Sequence, residues 1–202
     1  MVDSLEKVAA EIAVCEKCPL HQGRTNTVPG AGRSDADIMF IGEGPGFHED
    51  RQGLPFVGAS GKFLEEMLNS IGLTREDVFI ANVVKCRPPG NRDPQSDEIE
   101  ACREYLDRQI ELIDPKVIVT LGRFSMARYF PNARISKIHG QAKKIGNRLY
   151  IPMYHPAAAL HQPSLRATVE ADFARIPELI EQMGSASGEE QPPDEPEQLS
   201  LF

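Results

Sequence analysis

Apolar residues fall in two rhythms along this chain. Four short, nearly unbroken runs end in turn residues: "DADIMFIGE" (35–43), "DVFIANVV" (77–84), "KVIVTLG" (116–122) and "RLYIPMYH" (148–155). Their length and β-branched or aromatic content predict buried strands. Pro152 inside the fourth suits an edge better than a centre. Between the runs the spacing becomes helical. Leu5, Val8, Ala9 and Ile12 mark a helix over 3–14, and Phe63, Leu64, Met67, Leu68 and Ile71 another over 59–73. Residues 93–113 read as a helix with Asp93 as cap and Pro94 in first position. A short helix is predicted over Arg123–Tyr129. A last one is predicted over Pro163–Met183, interrupted near Pro177.

Strands alternating with helices predict an α/β fold: a three-layer α/β/α sandwich around a central, mostly parallel four-stranded sheet. In such sheets ligands bind where the C-terminal strand ends open into loops. Glu43, the stretch Asn82–Asn91 and His155 all fall there. Residues 1–183 form one domain. From residue 184 the chain is rich in Pro, Glu and Ser, and the expectation is a disordered acidic tail.

The 202 residues, 41% of them hydrophobic, suffice for one well-packed domain. The net charge of −8 argues against a nucleic-acid partner until its distribution is considered. Five acids sit in the tail, and setting them aside leaves about −3 for residues 1–183. Lys137, Lys143, Lys144 and Arg148 cluster in sequence, as do Lys85, Arg87 and Arg92. A basic face or ordinary solvated charges would both produce this pattern. The N-terminal segment is amphipathic and acidic, unlike a signal peptide, and no run approaches a membrane span. The expectation is a cytoplasmic protein.

In that setting the four cysteines are not structural disulfides. Cys15 and Cys18 have metal-ligand spacing, and Cys86 and Cys102 complete a set of four. Four thiolates suit tetrahedral zinc or an iron–sulfur cluster. The long gap between the pairs favours a cluster, with zinc as the alternative. Reduced cysteines buried as small hydrophobes would leave the C-x2-C spacing without a cause.

"GEGPGF" (42–47) lacks the third glycine of a dinucleotide fingerprint and the Gly-Lys-Ser/Thr of a phosphate loop. It reads as a turn that projects Glu43 into the cleft. Phe56 in "GLPFVGASG" is either a stacking surface for a flat ring or a loop anchor. Asn82 is unusual inside a strand. Its carboxamide sets an acceptor beside a donor, the complement of the uracil N3–H and O4 pair and the reverse of what cytosine presents. The bland reading is an Asn that bonds nearby backbone. For His155, a lone histidine at a strand end, structural and catalytic readings are both open. Asn82 and Cys86 are an even number of residues apart, so an unbroken strand would point both to one face. A base reader and a metal ligand on opposite sides require a twist or break before Cys86.

Taken in order, the four cysteines, "GEGPG", "GLPFVG", "NVVKCRPPGNRDP" and "YHPAAAL" resemble the family 4 uracil-DNA glycosylases, the iron–sulfur branch of that superfamily. The resemblance covers roughly residues 1–183 and implies removal of uracil from single- or double-stranded DNA by a monomer associated with the nucleoid. It further implies a [4Fe–4S] cluster on Cys15, Cys18, Cys86 and Cys102. Phe56 would stack on the extruded uracil, Asn82 would read its edge, and His155 would donate a hydrogen bond toward O2. Gly44 would line the pocket, and Glu43 would position water or stabilise the cationic sugar. Glu49 would crowd the 5-position against thymine. Lys85, Arg87, Asn91, Arg92, His139, Lys143 and Lys144 are candidate DNA contacts. A related branch uses a histidine in an inserted basic loop to form a covalent adduct. No long insertion surrounds His139, which favours ordinary hydrolysis.

Gln198, Leu199, Leu201 and Phe202 in "QLSLF" resemble the peptides that bacterial proteins dock into the DNA sliding clamp. Two other functions stay open from sequence. One is a non-catalytic zinc- or cluster-bearing nucleotide-binding module, and the other a glycosylase for a different deaminated base.

Overall fold

A computed structural model describes residues 2–186. In chain order its elements are α1 (Leu5–Ala13), β1 (Ala31–Gly32), β2 (Ile38–Gly42), α2 (Phe47–Gln52), α3 (Ala59–Ser70), β3 (Phe79–Asn82), α4 (Ser96–Ile113), β4 (Val117–Leu121), α5 (Arg123–Ala127), α6 (Ile135–Ile138), β5 (Lys143–Ile145), β6 (Arg148–Met153), α7 (Pro156–His161), α8 (Arg166–Ala174) and α9 (Ile176–Ala186).

The sheet has six strands in the order β1-β3-β2-β4-β6-β5, rather than the four expected. The four predicted strands form its parallel centre. The additions, β1 and β5, are short antiparallel edges. Two or three residues carry too little periodicity to be read as a strand, and β5 is fully exposed. Pro152 does not mark an edge strand, because β6 lies between β4 and β5. However, β5 pairs only with Arg148–Tyr150, so the missing N–H of Pro152 breaks no β5 hydrogen bond.

Alternating side chains feed two cores. Phe40, Ile80, Val119 and Ile151 face α3, α7, α8 and α9, where Phe40 stacks on Phe173 at 6.0 Å. Met39, Ile41, Ala81 and Ile118 face α4. Helix α1 packs on α4, and Arg108 ties them by bonding Asp3 and Glu11. Helix α4 starts at Ser96, not at Pro94. Glu98 accepts the Gln95 N–H at 2.8 Å, while Asp93 is drawn away into an ion pair with Arg123. The break in the last helix falls at Arg175, and α9 then runs to Ala186, past the expected boundary at 183. Among the described residues no helix is long and apolar enough to cross a membrane.

Candidate active site and cysteine centre

Strands β3, β2, β4 and β6 run parallel, and the loops beyond the ends of β2, β3 and β6 enclose a cavity of about 380 Å³. That lies within the ~300–1,000 Å³ usual for small-molecule sites. Glu43, Gly44, Glu49, Phe56, Asn82 and His155 all line it, with Asn91 and Arg92 at the wall.

Asn82 ends β3 on the face it shares with Ile80. It is buried, and its Oδ1 has no hydrogen-bond partner. A buried acceptor of this kind costs roughly 1–3 kcal/mol unless something donates to it. Gly42, its neighbour across the β2–β3 ladder, leaves the room. A Cβ there would overlap Asn82 Oδ1 and come within 2.7 Å of the Phe56 ring. Gly42 opens the GEGPG motif, but sequence reasoning gave it no role of its own beside Asn82 and Phe56.

Phe56 adopts φ 53°, a left-handed conformation that is strained for an aromatic residue. Its surroundings hold it. Arg75 donates to the Phe56 carbonyl at 2.8 Å and to the Pro55 carbonyl at 2.5 Å. Glu49 Oε1 accepts the Val57 and Gly58 N–H groups at 2.8 and 2.7 Å. Glu49 therefore anchors the aromatic loop as well as lining the cavity. No spacing in the sequence reveals Arg75, because its partners are backbone carbonyls.

The His155 ring stacks beside Phe56 with centroids 5.5 Å apart. Its Nδ1 accepts the Ala157 N–H at 3.1 Å. Burial pulls the imidazole down to about 4, opposed by Glu49, so the ring is neutral at pH 7. A neutral imidazole that accepts at Nδ1 carries its proton on Nε2 and donates from there. Glu43 is pushed up to about 7, chiefly by burial, with Asp93 adding to the shift and Arg123 opposing it.

The candidate DNA contacts separate. Arg87 and Asn91 stand at the cavity mouth, joined by a 2.6 Å hydrogen bond. Arg92 lines the wall, but its guanidinium is held by Glu98 at 2.6 and 2.9 Å. His139 turns toward Asp172 at 2.7 Å and packs on Tyr154. Lys143 and Lys144 lie on the exposed edge strand β5, away from the cavity lining. Lys85 is a correction: it is 1% exposed and cannot reach a phosphate.

Lys85 instead points into the second centre. Cys15, Cys18, Cys86 and Cys102 border one apolar hollow, with Lys85, Arg24 and Tyr105 in its wall. Beyond Asn82 the chain leaves β3 and bends, turning Val84 and Cys86 toward α1 and α4. Lys85 Nζ donates to Gln109 Oε1 at 2.6 Å, and no carboxylate among the described residues pairs with it. Arg24 donates to the Cys15 carbonyl at 2.6 Å and to Cys86 Sγ at 3.4 Å. A buried ammonium needs an anion nearby, and thiolates would supply it. Among the described residues no three His, Cys, Asp or Glu side chains are arranged to hold a single metal ion.

Residues 29–177 match the family model for the uracil DNA glycosylase superfamily. The chain is 53% identical to the type-4 uracil-DNA glycosylase of Sulfurisphaera tokodaii, over 88% of this chain and 86% of that protein. It is 50% identical to the type-4 enzyme of Archaeoglobus fulgidus, over 88% and 94%. To that of Thermotoga maritima it is 43% identical, over 89% and 96%. A superfamily match spanning most of the chain, with near end-to-end identity to these relatives, means that the chain belongs to the uracil DNA glycosylase superfamily and, within it, to the type-4 uracil-DNA glycosylases.

Proposed function

We propose that this protein hydrolyses the N-glycosidic bond of deoxyuridine in DNA, releasing uracil and leaving an abasic site for base excision repair. The observation that carries the reading is the unpartnered, buried Asn82 Oδ1 at the floor of the cavity. A base extruded from the stack and lying on Phe56 would give its N3–H to that oxygen. Thymine offers the same edge but carries a 5-methyl group. Glu49, buried in the cavity wall, supports the exclusion of that group.

Bond breaking moves the C1′–N1 electron pair onto uracil and leaves a cationic sugar. His155 Nε2–H would donate to O2, where negative charge develops, and being neutral it does so without surrendering its proton. The Glu43 carboxylate would stabilise the sugar and take a proton from the water that attacks C1′, much as carboxylates act in glycoside hydrolysis. Uracil regains a proton from solvent, so one water is consumed per base released. Arg87 and Asn91 would hold backbone at the mouth; Arg92, tied to Glu98, would act on the wall.

The cysteine hollow is read as the site of a [4Fe–4S] cluster on Cys15, Cys18, Cys86 and Cys102. When bound, the cluster ties the segment after α1, the bend after β3 and α4 together, a structural task. Burial of Lys85 and the Arg24 contact to Cys86 support the assignment. The clamp peptide Gln198–Phe202 lies outside the described residues. Its sequence supports delivery of a cytoplasmic, nucleoid-associated enzyme to replicated DNA.

The test is incubation of anaerobically purified protein with a uracil-containing oligonucleotide, followed by alkaline cleavage. Strand scission at U but not at T or C is expected, and absence of product would overturn the reading.

A further inference from the structure

Phe47 opens α2 one residue beyond Gly46 in the cavity wall, and it is 46% exposed. A lone exposed apolar side chain is ordinary, but this one is flanked by charge. The Arg87 guanidinium lies 5.1 Å from its ring centroid and that of Arg51 5.8 Å, with His48 edge-on at 5.5 Å. Arg87 is steadied by Asn91, itself a cavity residue. Eight of the 14 arginines of this acidic chain bond carboxylates, among them Arg92, Arg108, Arg123, Arg128 and Arg166. Among the described residues Arg51 and Arg87 have no such partner, and both flank Phe47.

We infer that Phe47, between Arg51 and Arg87, is a stacking platform for one nucleobase flanking the extruded uracil, with the two guanidinium groups on the adjoining phosphates. An aromatic face takes any base, since every base has a π-face, and two unpaired cations match a backbone whose charge repeats per nucleotide. A base in a duplex already stacks on its neighbours and gains little from such a platform. The subsite therefore serves single-stranded DNA. This inference rests on the uracil-DNA reading, because it takes the cavity as the seat of the extruded base.

The test measures binding by fluorescence anisotropy of single-stranded oligonucleotides holding one 2′-fluoro-deoxyuridine, whose electron-withdrawing substituent slows bond cleavage. The base on either side of the uracil is replaced in turn by a reduced abasic spacer. A spacer on one side should weaken binding to the unaltered protein about tenfold. Phe47→Ala should lose a similar factor on intact DNA and no longer respond to the spacer, while Phe47→Trp keeps both properties. Arg51→Gln and Arg87→Gln should each lower the slope of log affinity against log salt by about 0.7. If Phe47→Ala loses equal affinity on intact and spacer DNA, or loses none, the platform is overturned. Equal affinity of the unaltered protein for uracil and thymine oligonucleotides would instead count against the cavity reading, with spacer coupling still reporting on Phe47.

Discussion

Asn82 and Cys86, four residues apart, face two different cavities. Strand alternation would have put both on one side of the sheet. The structure ends β3 at Asn82 and bends the chain over the next four residues, so that Val84 and Cys86 join the cluster between α1 and α4. One short segment thereby joins the cavity lined by Asn82 to the cysteine centre. Each can be probed without the other.

Asn82→Ala should reduce uracil excision by about a hundredfold or more in single-turnover assays. The brown colour and visible absorbance expected of the proposed cluster should persist, because Asn82 lines only the other cavity. Retained activity would remove Asn82 from the reading role.

Glu43 sets an expected pH dependence. With its carboxyl at about 7 in the folded protein, log kcat/KM should rise through neutral pH and level off above it. Glu43→Gln should be nearly inactive and lose that rise. Stability should move the opposite way. The folded value lies above the ordinary glutamate value of 4.5, so the contribution of this group is full below 4.5 and fades as pH rises to about 7. Melting curves should show the Gln variant gaining on the unaltered protein between pH 5 and pH 8.

Gly42→Ala places a methyl group against Asn82 Oδ1 and the Phe56 ring. Displacing either side chain should cut activity sharply and cost about 1–3 kcal/mol by denaturant unfolding. Full activity would mean the pocket tolerates a shift of both residues.

Lys85→Met separates the two possible jobs of that lysine. If it balances the thiolates of the proposed cluster, its replacement should lower iron per chain and move the midpoint potential of that cluster to more negative values. The salt dependence of DNA binding should not change, since Lys85 touches no solvent. Unaltered iron content and potential would dismiss the charge-balancing role.

Deleting residues 198–202 should abolish binding to a bacterial sliding clamp, measured by surface plasmon resonance, and leave turnover on short oligonucleotides as it was. Clamp affinity indifferent to the deletion would end that proposal.

The four central strands and the main helices were legible because each buries one periodic face. Phe40 against Met39 and Ile41 is enough to place a strand between two cores. The ordered motifs contain Glu43, Phe56, Asn82 and His155, the resemblance adds Glu49 between them, and all five line one cavity. Edge strands β1 and β5 were not legible, being too short for a period. The fate of each charge was not legible either. Lys85 and Arg87 sit two residues apart in a basic run, yet one is sealed beside the cysteines and the other rests on Phe47 at the pocket mouth. Arg92 reads as a phosphate contact until Glu98, six residues on, takes its guanidinium. Local sequence determines which residues can form a strand, a turn or a ligand set, because those preferences act between near neighbours. Whether a charge meets water, an acid or a thiol is decided by segments far away in sequence, and only tertiary packing brings those together.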